Sequence, residues 1–261
     1  MKFLFTGAGS ILAVALSESL VSHGHHVRLI GRSSDPAFTL DNPQTSLKVL
    51  LNQNEILVHF AHSFNRQIHP DINESSARQI IQMCEESKIK KCVYISSDSA
   101  SKISNSNYGQ SKYRTEQVFL TSKKSIVLRV GVISDRSIPS PFAQLLEFTR
   151  RTGFLIFPEI HKKRFTTISV QELAKNLINV CVNDWVGGPY SACSNPILKS
   201  VSEILIENGV KPRVSISFPA NAVKSLGYIG RRIGFFRREF DSALSLITPP
   251  EESPGLGLSD I

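Results

Sequence analysis

Apolar positions along the first half of the chain alternate between two rhythms. Residues 2–6 are a short apolar run, suited to a parallel strand buried on both faces. Residues 11–22 place Leu12, Leu16 and Leu20 on one helical face, with Gly24 just past the end. Residues 27–30 predict a second strand ended by Gly31, and residues 38–40 a very short third one. A short helix at 46–51 leads to a strongly apolar strand at 56–60. Residues 71–87 predict a long helix with Ile72, Ala77, Ile80, Ile81 and Cys84 inward. Strands follow at 92–95 and 126–130, separated by a helix at 108–121. This alternation predicts an α/β fold, a doubly wound parallel sheet with helices on both faces.

The second half is less regular. Pro139-Ser140-Pro141 marks a break. Helices are predicted at 142–151, 170–182 and 201–208, with strands at 190–193 and 214–218. Residues 220–246 read as a basic, aromatic helical stretch, and the tail from Pro249 as irregular. The division that follows is a regular βαβ core at 1–135 and a mixed lobe at 136–261 that completes the sheet.

Composition narrows the class. Apolar residues make up 41% of the 261 positions and charged residues 20%, which excludes a disordered or fibrous chain. The net charge of +8 favours acidic partners, phosphates and nucleotides among them. Cys84, Cys92, Cys181 and Cys193 have no metal-site spacing, so no metal is expected. Four unpaired thiols point to a reducing compartment, hence the cytoplasm. Residues 1–20 resemble a signal peptide in hydropathy, but Thr6-Gly7-Ala8-Gly9-Ser10 splits them into a strand and a helix. No segment reaches the ~18 apolar residues of a membrane span.

Two features carry chemistry. The first strand runs into Thr6-Gly7-Ala8-Gly9-Ser10-Ile11 and then a helix. Glycines there let the backbone approach a pyrophosphate, and the helix start offers free N–H groups. Gly7, Gly9, Ser10, Ile11 and Leu12 are the candidate phosphate contacts, although Ser10 and Ala13 stand where the Rossmann fingerprint has glycine. At the end of the second strand an Asp or Glu would bind a ribose hydroxyl pair. This chain has Gly31-Arg32-Ser33-Ser34, and Arg32 suits a 2′-phosphate. NADP(H) is therefore the preferred cofactor, with NAD(H) the alternative.

The second feature follows the strand at 92–95, which runs into Ser96-Ser97-Asp98-Ser99. Eleven residues after Ser97 comes Tyr108-Gly109-Gln110-Ser111-Lys112. Tyr and Lys four apart share one helix face. A neighbouring ammonium lowers a phenol's pKa, which would let Tyr108 exchange a proton near neutral pH. Ser97, at the strand's carboxyl end, would hold the reacting oxygen.

These segments resemble the extended or atypical short-chain dehydrogenase/reductases, the NAD(P)-dependent epimerase/dehydratase group. FTGAGSIL resembles the family's glycine turn, LVHFAHS its third-strand end, and KKCVYISSDSA with YGQSKYRTEQ its catalytic strand and helix. VLRVGVIS and RFTTISVQELAKNL resemble later segments, with Gln171 in place of the first Asp of the family's HVDDLA. ITPPEESPGLGL is similar to the family's ending. The resemblance implies a catalytic set of Ser97, Tyr108 and Lys112. Tyr108 would be the acid/base, and Lys112 would bind the nicotinamide ribose. Phe60, Ala61 and His62 would line the cofactor, and Asp41, after the short third strand, would sit near the adenine. Asn73 would organise backbone. Ser97, Asp98 and Arg164 are the candidate substrate contacts.

The implied activity is hydride transfer on a nucleotide-diphosphate sugar by a reductase or epimerase, with a homodimer as the family's habit. Other readings are a non-catalytic NADP(H)-binding sensor or scaffold, a reductase of a non-sugar carbonyl, and a dehydratase using Asp98. The segment GYIGRRIGFFRREF also fits a membrane-surface helix or a partner face. Nucleic-acid binding has no motif beyond charge.

Overall fold

The computed structural model describes residues 1–63, 71–104, 106–136, 138–158, 164–183 and 185–219. Strand β1 (Lys2–Thr6) turns into helix α1 (Ile11–Ser22). Next come β2 (His26–Ile30), α2 (Gln44–Leu50), β3 (Ile56–His59), α3 (Ile72–Glu86), β4 (Lys91–Ser97), α4 (Asn107–Phe119) and β5 (Ser125–Val130). The second half adds β6 (Val132–Ile133), α5 (Pro141–Thr152), β7 (Phe154–Pro158), β8 (Arg164–Phe165), β9 (Thr167–Ile168), α6 (Val170–Val182), β10 (Gly187–Ser191), β11 (Lys199–Ser200), α7 (Val201–Glu207) and β12 (Val214–Phe218).

Six strands form one parallel sheet in the order β10-β5-β4-β3-β1-β2. Its strands are apolar at successive positions because both faces are covered. Phe3, Phe5, Val58 and Val93 pack with Leu16 and Leu20 of α1 and Leu173 and Leu177 of α6. Leu4, Leu57, Tyr94 and Val127 point the other way, against Leu47 and Leu50 of α2, Ile80 and Cys84 of α3 and Phe119 of α4. A third cluster joins Phe142 and Leu146 of α5 to Leu155 and Phe157 of β7 and to Val201, Ile204 and Leu205 of α7. The chain leaves β1 outward to β2 and returns to the opposite side of β1 with β3. That reversal opens a crevice at the carboxyl ends of β1 and β3, the usual ligand position in such sheets.

Serines set the helix starts. Ser10, Ser106, Ser140, Ser169 and Ser200 each accept a hydrogen bond from a backbone N–H in the first turn of the helix they precede. Each such cap stabilises by about 1 kcal/mol. The four cysteines are unpaired, with Cys84, Cys92 and Cys193 buried and Cys181 half-buried.

The third strand expected at 38–40 does not form, and β2 is the sheet edge. Phe38 is buried as a single anchor, with its N–H on the Gly31 carbonyl at 2.9 Å and its ring edge-on to His59 at 6.3 Å. The strand expected at 190–193 begins earlier, at Gly187, and ends at Ser191. Strands β6, β8, β9 and β11 are two-residue pairings too short for a period, and β7 was hidden between two basic runs. The stretch 220–246 and the tail lie outside the described residues. Among those described, no helix is long and apolar enough to cross a membrane, and no cluster of His, Cys, Asp and Glu is placed to hold a metal.

Candidate active site

The glycine turn sits where β1, β2 and β3 converge. Gly7 has φ of +90°, and a Cβ there would stand 2.8 Å from the Ala61 nitrogen. Glycine is thus required twice over, by conformation and by the approach of the segment after β3. The Gly7 and Ala8 N–H groups donate to the Ile30 carbonyl at 2.9 and 3.1 Å, and Ser10 N–H closes the turn on the Gly7 carbonyl at 2.7 Å. A Cβ at Gly9 would meet no protein atom within 4 Å. The turn is bare there, beside the N-terminus of α1, where helix geometry leaves the Ile11 and Leu12 N–H groups without intrahelical acceptors. This cradle fits a dinucleotide pyrophosphate. Ala13 is fully buried against the sheet, so the third glycine position carries the smallest side chain that still packs.

The second set of residues lies at the end of β4. Ser97 is its last residue, and the Ser97 hydroxyl is hydrogen-bonded to that of Tyr108 on α4. Ser97 Oγ is also 3.0 Å from Ser99 Oγ and accepts the Ser99 N–H at 3.2 Å. Lys112, one turn along α4 from Tyr108, is buried and donates to the Ile95 carbonyl at 2.8 Å. Its ammonium lies 5.8 Å from the Tyr108 ring centre and 4.8 Å from that of Tyr94. His62 meets the Tyr108 ring edge-on at 5.2 Å, so the segment after β3 and the start of α4 share one wall. Asn73, at the start of α3, holds that segment. Its side chain accepts the Ser63 N–H at 2.8 Å and donates to the Ser63 carbonyl at 3.0 Å and to Ser111 Oγ at 3.1 Å. It organises backbone, as expected.

Electrostatics overturn one expectation. Spacing alone predicts a Tyr108 phenol lowered by Lys112. In the structure burial pushes Tyr108 up to about 12, against a smaller lowering by the Ser97 hydrogen bond. Burial likewise pulls Lys112 down to about 7, partly offset by Glu116. The direction of the Tyr108 shift is set by burial, and the Lys112 charge is not among its causes.

A polar layer that the motifs did not announce lies beneath. Arg129 of β5 and Glu116 of α4 form a buried two-point ion pair, with Nε–Oε1 at 2.9 Å and Nη2–Oε2 at 2.7 Å. His59 is buried, its Nδ1 2.7 Å from Thr6 Oγ1, and burial drives it down to about 3, so it is neutral. A lone Arg inside the apolar run VLRV, and a Glu four residues beyond Lys112, were the available signals.

Other candidates stand apart from this group. Asp98 accepts a hydrogen bond from Thr166 and is pushed up to about 6, chiefly by burial. Arg32 is exposed just past β2, next to the turn, because a Cβ at Gly31 would lie 3.1 Å from Ala8 Cβ. Ser34 Oγ accepts the Gly31 N–H at 2.8 Å. Asp41 is exposed in a loop, since the strand meant to present it is absent. Arg164 is exposed on β8 and engaged with Glu203 at 3.2 Å and the Leu198 carbonyl at 3.4 Å.

Gly109 locks the site's loop to α4. A Cβ there would stand 2.2 Å from both Ser104 Oγ and the Ser99 carbonyl. Gly109→Ala is expected to displace the 99–104 loop and cost about 1–3 kcal/mol, the range for overpacking. Chemical denaturation checks this, and an unchanged midpoint would show that the loop yields freely.

No protein-family model matches the chain, and no curated protein is similar to it in sequence. Solved structures match it in fold. A hypothetical dTDP-4-dehydrorhamnose reductase from Sulfolobus tokodaii matches with a TM-score of 0.66 at 18% identity, over 84% of this chain and 86% of that one. UDP-N-acetylglucosamine 4-epimerase from Bacillus cereus matches at 0.64 and 18% identity, over 95% and 98%. MoeE5 in complex with UDP-glucose and NAD matches at 0.63 and 16% identity, over 95% and 98%. The chain shares the Rossmann-type fold of these solved reductases and epimerases.

Proposed function

We propose that the chain is an NAD(P)-dependent oxidoreductase or epimerase that moves a hydride at a hydroxyl or carbonyl carbon of a nucleotide-diphosphate sugar. The observation that carries this is the convergence of Ser97, Tyr108 and Lys112 at the carboxyl end of β4, beside the glycine turn. In this reading the turn and the start of α1 hold the pyrophosphate, and Phe60, Ala61 and His62 line the nicotinamide side. The dinucleotide supplies or accepts the hydride. Ser97 orients the reacting oxygen, Tyr108 gives or takes its proton, and Lys112 binds the ribose hydroxyls and supports the phenol. The second half of the chain would hold the sugar nucleotide, whose diphosphate suits an Arg such as Arg164. Reductases and epimerases of nucleotide sugars among proteins of this fold support the substrate class. An intact Ser97–Tyr108–Lys112 set weighs against a sensor without activity. Asp98, tied to Thr166, is a poorer candidate for a dehydratase acid.

Arg32 favours NADP(H) and a cofactor that exchanges. Calorimetric titration with NADPH, NADP, NADH and NAD is the test. A charge-assisted hydrogen bond contributes about 1.5–3 kcal/mol, so Arg32→Ala is expected to weaken NADP(H) roughly ten- to hundred-fold and leave NAD(H) unchanged. NAD(H) preference in the wild type, or no effect of Arg32→Ala, would overturn the 2′-phosphate assignment. Failure of all four to bind would overturn the dinucleotide reading itself.

A further inference from the structure

We propose that Glu116, clamped by Arg129, is a positioning residue that favours the charged form of Lys112 beneath Tyr108. The functional consequence rests on the reading above, but the electrostatic claim does not.

The surroundings of Lys112 are otherwise poor company for a cation. Its ammonium has a backbone carbonyl at 2.8 Å and two aromatic rings, Tyr94 at 4.8 Å and Tyr108 at 5.8 Å. The side chain is 4% exposed. A buried amine with only neutral partners loses its proton readily. The groups facing it come from four elements. From α4 come Tyr108 and Glu116, and from β4 comes Tyr94. From β3 comes His59, held neutral by burial, with the Lys112 charge adding to its lowering. From β5 comes Arg129, which reaches this group through Glu116. Among the described residues Glu116 is the carboxylate that raises Lys112, and at four residues beyond Lys112 it lies on the same helix face.

Glu116 is itself fully buried, where an unpaired carboxylate is costly. Arg129 solves that with a two-point clamp, 2.9 and 2.7 Å, on both carboxylate oxygens. The planar guanidinium fixes the direction of the carboxylate as well as its charge. Arg129 pairs in register with Ser96, so the clamp sits one residue from Ser97 on the neighbouring strand. Against burial, which pulls Lys112 down to about 7, Glu116 pulls up. Lys112 is thus poised to gain or lose a proton near neutrality. Removing the carboxylate leaves burial unopposed and discharges the amine.

The test follows Lys112 directly by NMR of side-chain-labelled lysine across pH in the free protein, with Lys112→Arg to assign the signal. Glu116→Leu/Arg129→Met removes the pair together, a replacement that buried ion pairs tolerate. Glu116→Gln removes the charge but keeps an oxygen for Arg129. Both variants are expected to lower the Lys112 midpoint by roughly one unit or more. The pH at which NADPH affinity falls off should move down with it. An unchanged midpoint in either folded variant would make the pair merely structural and overturn the proposal. So would a wild-type Lys112 that titrates in the ordinary lysine range, about 10.4. The titration needs no ligand. A protein that binds no dinucleotide would therefore overturn the proposed function and leave this result standing, while a fixed midpoint with NADPH bound would do the reverse.

Discussion

Tyr108→Phe is expected to lower turnover by roughly 10²–10⁴-fold, the usual contribution of a positioned acid/base, while dinucleotide affinity stays within about twofold and the fold is kept. The hydroxyl is the only group removed. The ring retains its edge contact with His62 at 5.2 Å and its place 5.8 Å from the Lys112 ammonium. Ser97 still has Ser99 to bond with at 3.0 Å. A phenol that burial drives up to about 12 gains little from being there unless it is used. The substitution therefore separates chemistry from structure. Oxidation of NADPH with keto-sugar nucleotides gives the rate, and calorimetry gives the affinity. Turnover unchanged in the variant would remove Tyr108 from the chemistry and leave the binding-module reading in its place. Loss of dinucleotide affinity along with turnover would instead mean that the phenol is a binding group.

The main lines of the fold were legible because the physics behind them is local. A strand covered on both faces reads as a near-continuous apolar run, which is why residues 2–6 and 56–60 stood out. The turn between β1 and α1 needs glycine at position 7 for conformation and contact together, so it could be read without the sheet. Tyr108 and Lys112 share a helix face by spacing alone. What failed depended on partners distant in the chain. The apolar residues at 38–40 looked like a strand, but Phe38 serves as a plug beside His59, and nothing pairs with its backbone as a ladder. The two-residue strands β8 and β11 exist only because they meet each other. Spacing reports a neighbouring charge and not the desolvation of both groups, so only the fold shows that Tyr108 shifts upward. Arg129 and Glu116 were visible as oddities, a cation in an apolar strand and an acid on a buried helix face, but only the fold makes them a pair.

That pair carries the largest stability effect expected of a single change. Arg129→Met should lose about 3–5 kcal/mol, the cost of leaving one member of a buried ion pair alone. Glu116 is 0% exposed and Arg129 2%, so water cannot replace the missing partner. The methionine fills the space of the arginine stem, so a cavity contributes little. The penalty is that of a stranded carboxylate, and it exists only while the carboxylate is ionised. Asp98, pushed up to about 6, counts Arg129 among the charges that hold it down, so its carboxyl rises further in the variant and the deficit against wild type should narrow as pH falls from about 8 to about 5. Urea unfolding of both proteins at the two pH values measures this. Adding Glu116→Leu should recover most of the loss at the higher pH, since the stranded charge is gone. A deficit independent of pH, or a double variant no better than the single one, would mean that Arg129 holds β5 to α4 by packing and that its charge is incidental.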